Sequence, residues 1–303
     1  MKNAFVFRIS MFLFASLTLV AAGCSDDEPD TAPTPSITEL VVNDPNFSIL
    51  EAAVVKAGLA NALATTNPLT VFAPNNAAFN ASGITESVIN ALPVSTVDSI
   101  LKYHVLGSFV SSTQVPVSDA VPTLLGTKLF ASRNSNGVFV NGVKVSPADI
   151  EASNGLVHVI AKVLIPPTKS IAEIAVADTN FTFLVQAVSR LGLVPTLSGP
   201  GKFTVFAPTN AAFRAAGITD INAVPIATLE TVVRYHVLGT NVFASDLTNG
   251  ATVPTLQGGN LLVNLTPARV KIATSTQPSS NITAVDITAT NGVIHVIDRV
   301  LLP

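Results

Sequence analysis

The chain has 303 residues, 48% hydrophobic and 12% charged, with a formal net charge of −3. That length holds two domains with sizeable cores, and the composition excludes a disordered tail, a coiled coil and a basic nucleic-acid-binding domain. A single cysteine excludes an intrachain disulfide framework and a cysteine-based metal cluster, and no metal or other cofactor is expected.

In chain order, a basic start from Met1 to Arg8 precedes an apolar run from Ile9 to Val20, then Ala21-Ala22-Gly23 and Cys24. That order reads as an export signal. An uncleaved membrane span would need about 20 apolar residues, more than this run supplies. The stretch Leu19-Val-Ala-Ala-Gly-Cys24 resembles a bacterial lipobox, which implies removal of residues 1–23 and acylation of Cys24. Acyl chains hold a protein at a membrane by ~0.8 kcal/mol per buried methylene, so the expected membrane contact is through this lipid anchor only. Residues 24–36, with Pro29, Pro33 and Pro35 among small polar residues, read as a tether. The acidic run Ser25-Asp26-Asp27-Glu28 is similar to surface-export signals of some Gram-negative lipoproteins and reads equally well as a solvated spacer. The expected location is the outer membrane, facing the cell surface or otherwise the periplasm.

Beyond the tether the chain is duplicated. Leu69-Thr-Val-Phe-Ala-Pro-Asn-Asn-Ala-Ala-Phe79 recurs as Phe203-Thr-Val-Phe-Ala-Pro-Thr-Asn-Ala-Ala-Phe213, an offset of 134 residues. Tyr103-His-Val-Leu-Gly107 recurs from Tyr235, and Asn154-Gly-Leu-Val-His-Val-Ile160 recurs from Asn291. A unit this long is a domain rather than a solenoid repeat. The expected domains are 37–166 and 167–303, and the short, stiff junction Pro166-Pro167-Thr168-Lys169 limits their mutual angles.

Within a copy, Asp44-Pro45 reads as a helix start, Phe47, Leu50 and Val54 recur at helical spacing, and Gly58 stops the helix. Leu69 to Ala73 reads as a strand ended by Pro74, with Asn75 or Asn76 capping a helical turn. Ser95 to His104 reads as a helix. Val138 to Val145 reads as a hairpin around Asn141-Gly142, and Asn154-Gly155 as a tight turn before a strand from Leu156 to Leu164. The class is α+β with mainly antiparallel strands.

The Thr70-Val-Phe-Ala-Pro block, the Tyr-His pair and the Asn-Gly-Leu-Val-His-Val-Ile160 block, each present twice and in order, resemble the landmark blocks of fasciclin-like domains. The resemblance covers residues 37–303. It implies two tandem domains, each a β-sandwich wedge flanked by short helices, in a surface-anchored protein of cell adhesion or matrix contact.

All four histidines, His104, His158, His236 and His295, fall at repeat-equivalent positions, and the only tyrosines, Tyr103 and Tyr235, each precede one of them. Two histidines per copy, with Asp149 and Asp286 the nearest repeated acids, fall short of the three or four ligands a metal needs. His104 reads as a helix C-terminal residue bonding a carbonyl, and His158, between valines on a strand, as a core residue with its nitrogens bonded. His158, His295, Asn154, Gly155, Asn291 and Gly292 therefore read as structural. What the resemblance adds is a role in partner recognition for Tyr103-His104 and Tyr235-His236, the segment implicated in integrin-mediated adhesion in animal matrix members.

Nucleophilic catalysis has little support, since no Gly-x-Ser-x-Gly elbow occurs. Ser198-Gly-Pro-Gly-Lys202 is followed by Phe203, not Ser or Thr, and reads as a loop. Glu39 and Glu173 could do acid–base work, whereas Asp44 and Asp178 read as caps. The expected function is non-enzymatic contact with an extracellular or outer-membrane protein or a surface glycan. Two alternatives stay open: a hydrolase or small-ligand binder using an interdomain pocket, and an accessory subunit of an outer-membrane complex.

Overall fold

The computed structural model describes residues 33–66 and 68–303. The export signal, Cys24 and most of the tether lie outside the described residues. In the first copy, helices α1 (Ile37–Asn43), α2 (Ser48–Ala57) and α3 (Ala60–Thr65) precede strand β1 (Leu69–Pro74). Helices α4 (Asn76–Ala81), α5 (Glu86–Ala91) and α6 (Val94–Tyr103) follow. The strands are β2 (Val105–Leu106), β3 (Ser118–Pro122), β4 (Lys128–Asn134), β5 (Gly137–Val140), β6 (Val143–Lys144), β7 (Ile150–Ala152) and β8 (Gly155–Ile160).

The second copy repeats this order with α7 (Ile171–Ala177), α8 (Thr182–Arg190), α9 (Val194–Ser198), β9 (Phe203–Pro208), α10 (Asn210–Ala215) and α11 (Ile226–Tyr235). Its later strands are β10 (Val237–Leu238), β11 (Ala251–Pro254), β12 (Asn260–Leu265), β13 (Ala268–Ile272), β14 (Ser280–Ala289) and β15 (Gly292–Ile297).

Short polar signals place the helix ends. The Ser36 hydroxyl and the Glu39 carboxylate form a capping box at α1, and Ser170 and Glu173 do the same at α7. Glu39 and Glu173 are thus cap partners, and their bonds to the serines hold both carboxyls below the usual range. The Asp44 side chain caps a 3-10 turn, Pro45–Phe47, that leads into α2, and Gly58 ends α2 in the left-handed region. The sequence reading places α6 one residue late, because His104 is its C-cap rather than its last residue.

At the centre of each copy is one parallel strand pair, β1 with β8 and β9 with β15, every residue of β1 and β8 being buried. Val71, Ala73, Val157 and Val159 face a helical core with Leu50, Phe79 and Val97. Phe72 and Ile160 face a second core with Leu106, Leu129 and Val140. One strand pair therefore serves two cores, which is why its apolar run is continuous rather than alternating.

The predicted Asn141-Gly142 hairpin is present between β5 and β6, both residues having positive φ, as a tight two-residue turn requires. The predicted turn at Asn154-Gly155 shifts by one residue: Ala152 pairs with Gly155, so Ser153 and Asn154 make the turn and Gly155 opens β8. The reason is the parallel neighbour, since a Cβ on Gly155 would collide with the Leu69 carbonyl, and one on Gly292 with that of Phe203.

The copies differ in sheet continuity. The first has two four-stranded sheets, β2-β1-β8-β7 and β3-β4-β5-β6, whereas the second has one seven-stranded sheet, β10-β9-β15-β14-β13-β12-β11. Strand β14 bridges the two halves through register shifts, pairing with β13 at its start and β15 beyond. In the first copy Pro147, which has no N–H to give a ladder, stands where the second has Ala284. There the same stretch is reduced to β6, one isolated bridge between Val145 and Ile160, and β7.

Candidate functional site

The repeated polar residues converge on the joints between helices and strands. Asn154 is buried in the turn before β8. Its Oδ1 accepts from the Ile37 N–H at 3.0 Å, and its Nδ2 donates to the carbonyls of Leu63 (2.7 Å) and Thr66 (3.1 Å). One side chain thereby satisfies the first turn of α1 and the last turn of α3. Asn291 repeats the arrangement with Ile171, Leu197 and Gly199. Thr70, in the first landmark block, donates to the Ser108 carbonyl and accepts from the Val110 N–H, and Thr204 does likewise with Thr240 and Val242. The sequence reading gave Thr70 and Thr204 no role of their own, although their place in the duplicated block was the available signal.

The histidines are held at both ring nitrogens. His104 Nδ1–H donates to the Ile100 carbonyl at 2.7 Å, and Nε2 accepts from the Leu164 N–H at 3.0 Å. His236 does the same with Val232 and Leu301. These partners select the neutral Nδ1–H tautomer. Burial pushes both imidazoles down to about 4, against a smaller upward pull from the carbonyl each one bonds. His158 accepts from the Asp149 N–H and donates from Nε2 to the Val110 carbonyl, its ring stacked on Phe72 at 5.4 Å. His295 matches it with Asp286, Val242 and Phe206, and burial lowers its pKa.

This geometry limits the chemistry. Asp149 and Asp286 meet their histidines through the backbone N–H, so neither carboxylate orients an imidazole as a base would need. Ser132 donates to Asp246 at 2.5 Å across the copies, yet both nitrogens of His295 are already bonded. A serine, a carboxylate and an imidazole lie in one region without forming a relay. Among the described residues no group of three or more His, Cys, Asp or Glu side chains is placed to hold a metal ion.

Tyr103 is 1% exposed and His104 and His236 are nearly as buried. The Tyr103 hydroxyl donates to the Lys128 carbonyl and accepts from Asn141 Nδ2. Tyr235 is half-buried. Of the four residues that the resemblance offers for partner recognition, three thus lie beneath the surface, where they brace the end of α6 or α11, and Tyr235 alone is partly open.

The copies meet along a seam that the sequence reading did not place. Phe130 and Phe243 pack with ring centroids 5.2 Å apart, Asn134 Nδ2 donates to the Ser245 carbonyl, and Lys202 pairs with Asp119 at 2.9 Å. The lysine of the Ser198–Lys202 loop is therefore a seam residue. Beside it a cavity of about 140 Å³ is walled by Asn141, Lys128, Lys202, Phe243 and Asn241, whose buried Oδ1 has no hydrogen-bond partner among the described residues.

Large apolar residues also repeat at the surface. Val42 and Val176 are 50% and 64% exposed, Val94 and Ile226 54% and 56%, and Leu124 and Leu256 47% and 45%. Leu124 and Leu256 are fixed alike, each donating its N–H to a carbonyl of the short strand after the Tyr-His pair.

Comparison with known proteins places this arrangement among others. The Fasciclin domain family model matches residues 45–166 and 179–303. Human Periostin is 29% identical over 273 residues, covering 88% of this chain and 31% of its own. Transforming growth factor-beta-induced protein ig-h3 of Sus scrofa is 30% identical over 241 residues, 77% of this chain and 34% of its own. The chain thus spans about a third of the length of these two relatives. Protein sll1483 of Synechocystis is 39% identical over 149 residues, covering 48% of this chain and 81% of its own. Among solved structures, a domain pair from the insect cell adhesion molecule Fasciclin I is 20% identical. That match covers 88% of this chain and 96% of the other, with a TM-score of 0.42.

Proposed function

Because the chain belongs to the Fasciclin domain family, we propose that it is an extracytoplasmic binding or adhesion protein, making protein or glycan contacts through its two copies. In this reading residues 1–23 are removed, Cys24 is acylated, and residues 24–36 hold the copies off the outer membrane, facing the cell surface or else the periplasm. The observation that carries it is the set of three large apolar side chains exposed at the same positions of both copies. Single exposed apolar residues need no explanation, but the same positions left bare twice, while the repeated threonines, histidines and asparagines of the landmark blocks are turned inward, fit a surface kept for contact. Two linked modules that both engage one target would gain avidity without new contacts.

A second reading takes its support from the orphaned Asn241 Oδ1. The cavity between the copies is lined by Asn241, whose Oδ1 is left unpaired among the described residues, and by Lys128, Lys202 and Asn141, a polar wall that fits a small polar ligand. The deciding experiment is crosslinking with mass spectrometry on intact cells, with the Cys24→Ala form as control. The contact reading expects a reproducible partner crosslinked near Val42, Val94 or Leu124 or their second-copy counterparts. The Cys24→Ala form should leave the membrane fraction yet melt at the same temperature, and retention after salt washing would sink the anchor. One outer-membrane protein recovered in fixed ratio would favour an accessory subunit. No partner, on cells whose protein is fully open to external protease, would favour the small-ligand reading.

A further inference from the structure

Beneath α1, α2 and α3 of the first copy, where they lie on β1 and β2, is an apolar cavity of about 130 Å³ walled by Ile37, Val41, Leu50, Val54, Leu63 and Leu101. Protein interiors pack to crystal density, so a void of this size is out of the ordinary. Its polar wall residues have little to offer a water. Both nitrogens of His104 are bonded, and the Thr38 hydroxyl donates to the Ala60 carbonyl at 3.0 Å. A buried water needs two to four polar partners, whereas a dry cavity of about 150 Å³ takes up benzene. The space therefore suits hydrocarbon of about six carbons.

The second copy keeps this feature in altered form. The counterparts of the walls line two cavities, of about 30 and 210 Å³, with Leu197, Val233 and Val237 on both. Bulkier residues stand there at two positions, Val194 for Ala60 and Phe203 for Leu69. Unfilled apolar space thus persists at the same helix-to-strand joint in both copies, although the side chains around it have changed.

The rim points to the other end of the ligand. Val42 and Val55 are exposed there, with Glu51 and Lys102 partly buried beside them. The second copy has Val185 in place of Glu51 and keeps a cation, Arg234, in place of Lys102. Lys102 Nζ lies 2.9 Å from Asp98, which uses part of its three-donor capacity, and it donates to no other group among the described residues.

We propose that the first copy binds a medium-chain fatty carboxylate, its hydrocarbon chain in this cavity and its carboxylate at Lys102. The site goes beyond the contact reading and does not rest on it, because a crosslinked macromolecule and a titrated carboxylate are read separately. The test is calorimetric titration of the full chain, carrying Cys24→Ala so that it has no acyl group of its own, with n-octanoate and with 1-octanol below their aggregation limits. Saturable octanoate binding is expected. Ala60→Phe should abolish it, and Ala60→Val, which installs the second copy's residue, should weaken it about tenfold, the weight of two methylene-sized groups. Should Ala60→Phe fail to fold by circular dichroism, Ala60→Val decides alone. Lys102→Gln should weaken octanoate about fivefold while leaving 1-octanol unchanged. Absence of saturable octanoate binding, or binding untouched by the Ala60 variants, would overturn the site. Binding of 1-octanol as tight as that of octanoate would overturn the carboxylate assignment.

Discussion

In the first copy Asn141, in the turn between β5 and β6, ties down the Tyr103 hydroxyl. In the second, the turn between β12 and β13 is Thr266-Pro267, and the Tyr235 hydroxyl has no hydrogen bond to another of the described residues. The acids diverge in the same way. Burial works against the Asp149 charge, but bonds from the Ser112 N–H and hydroxyl hold its carboxyl below the usual range. Asp286 is more deeply enclosed, accepts one bond from the Ala244 N–H, and burial pushes it up. By contrast, the His104, His158, Asn154, Gly155 and Thr70 arrangements recur nearly bond for bond. Duplication has preserved the joints between helices and strands and let the outer strands drift, so the part of the pattern that looks most like a site is the part that builds the fold.

The largest effect that tests this comparison is steric. Gly155→Ala and Gly292→Ala each force apart a parallel pair buried on both faces, and each should cost about 3 kcal/mol or more in urea unfolding. Unequal costs would break the equivalence of the copies. Asn154→Ala and Asn291→Ala should cost about 2 to 3 kcal/mol each, because three backbone groups lose a buried partner.

Protonation gives the next test. His104 and His236 titrate at about 4 in the fold against 6.5 in an open chain, so the fold binds fewer protons than the unfolded chain between those values. Stability should be fully present above pH 6.5 and fall by up to about 3 kcal/mol per histidine as the pH drops toward 4. Melting curves across that range check it, and His104→Gln with His236→Gln should flatten the dependence.

Smaller effects should separate the copies. At neutral pH Asp149→Asn should lower stability by about 1 kcal/mol, since it weakens bonds to a charged acceptor, whereas Asp286→Asn should leave it unchanged or raise it by removing a buried charge. Tyr103→Phe should cost about 1 kcal/mol, and Tyr235→Phe less than about half of that.

Much of this architecture was legible in the chain because local signals carry it. Asp44 before Pro45, Gly58 after α2, Asn75 before α4 and Asn141-Gly142 all act within four residues of their own position. Helix α1 was missed, although Ser36-Ile-Thr-Glu39 and Ser170-Ile-Ala-Glu173 each spell a capping box, because at seven residues it is too short for its apolar spacing at Ile37, Leu40 and Val41 to stand out. The parallel pairing of β1 with β8 joins Leu69 to Gly155, and no local pattern reports a contact at that separation. The seam was equally hidden, since no local signal marks Phe130 or Phe243 as facing the other copy. For the candidate site, the duplication marked the right residues, but repetition does not say whether a side chain faces inward or outward.

The most direct test sets the surface against the scaffold in one partner-retention measurement on cells. A Val42→Asp, Val94→Asp, Leu124→Asp variant, with its second-copy equivalents, is compared with Tyr103→Phe, the melting temperature of each being recorded alongside. The account predicts that the surface variant loses its crosslinked partner while still folding, and that Tyr103→Phe keeps the partner despite its lower stability. Loss of the partner in folded Tyr103→Phe, with retention in the surface variant, would contradict it and return recognition to the buried Tyr-His pair.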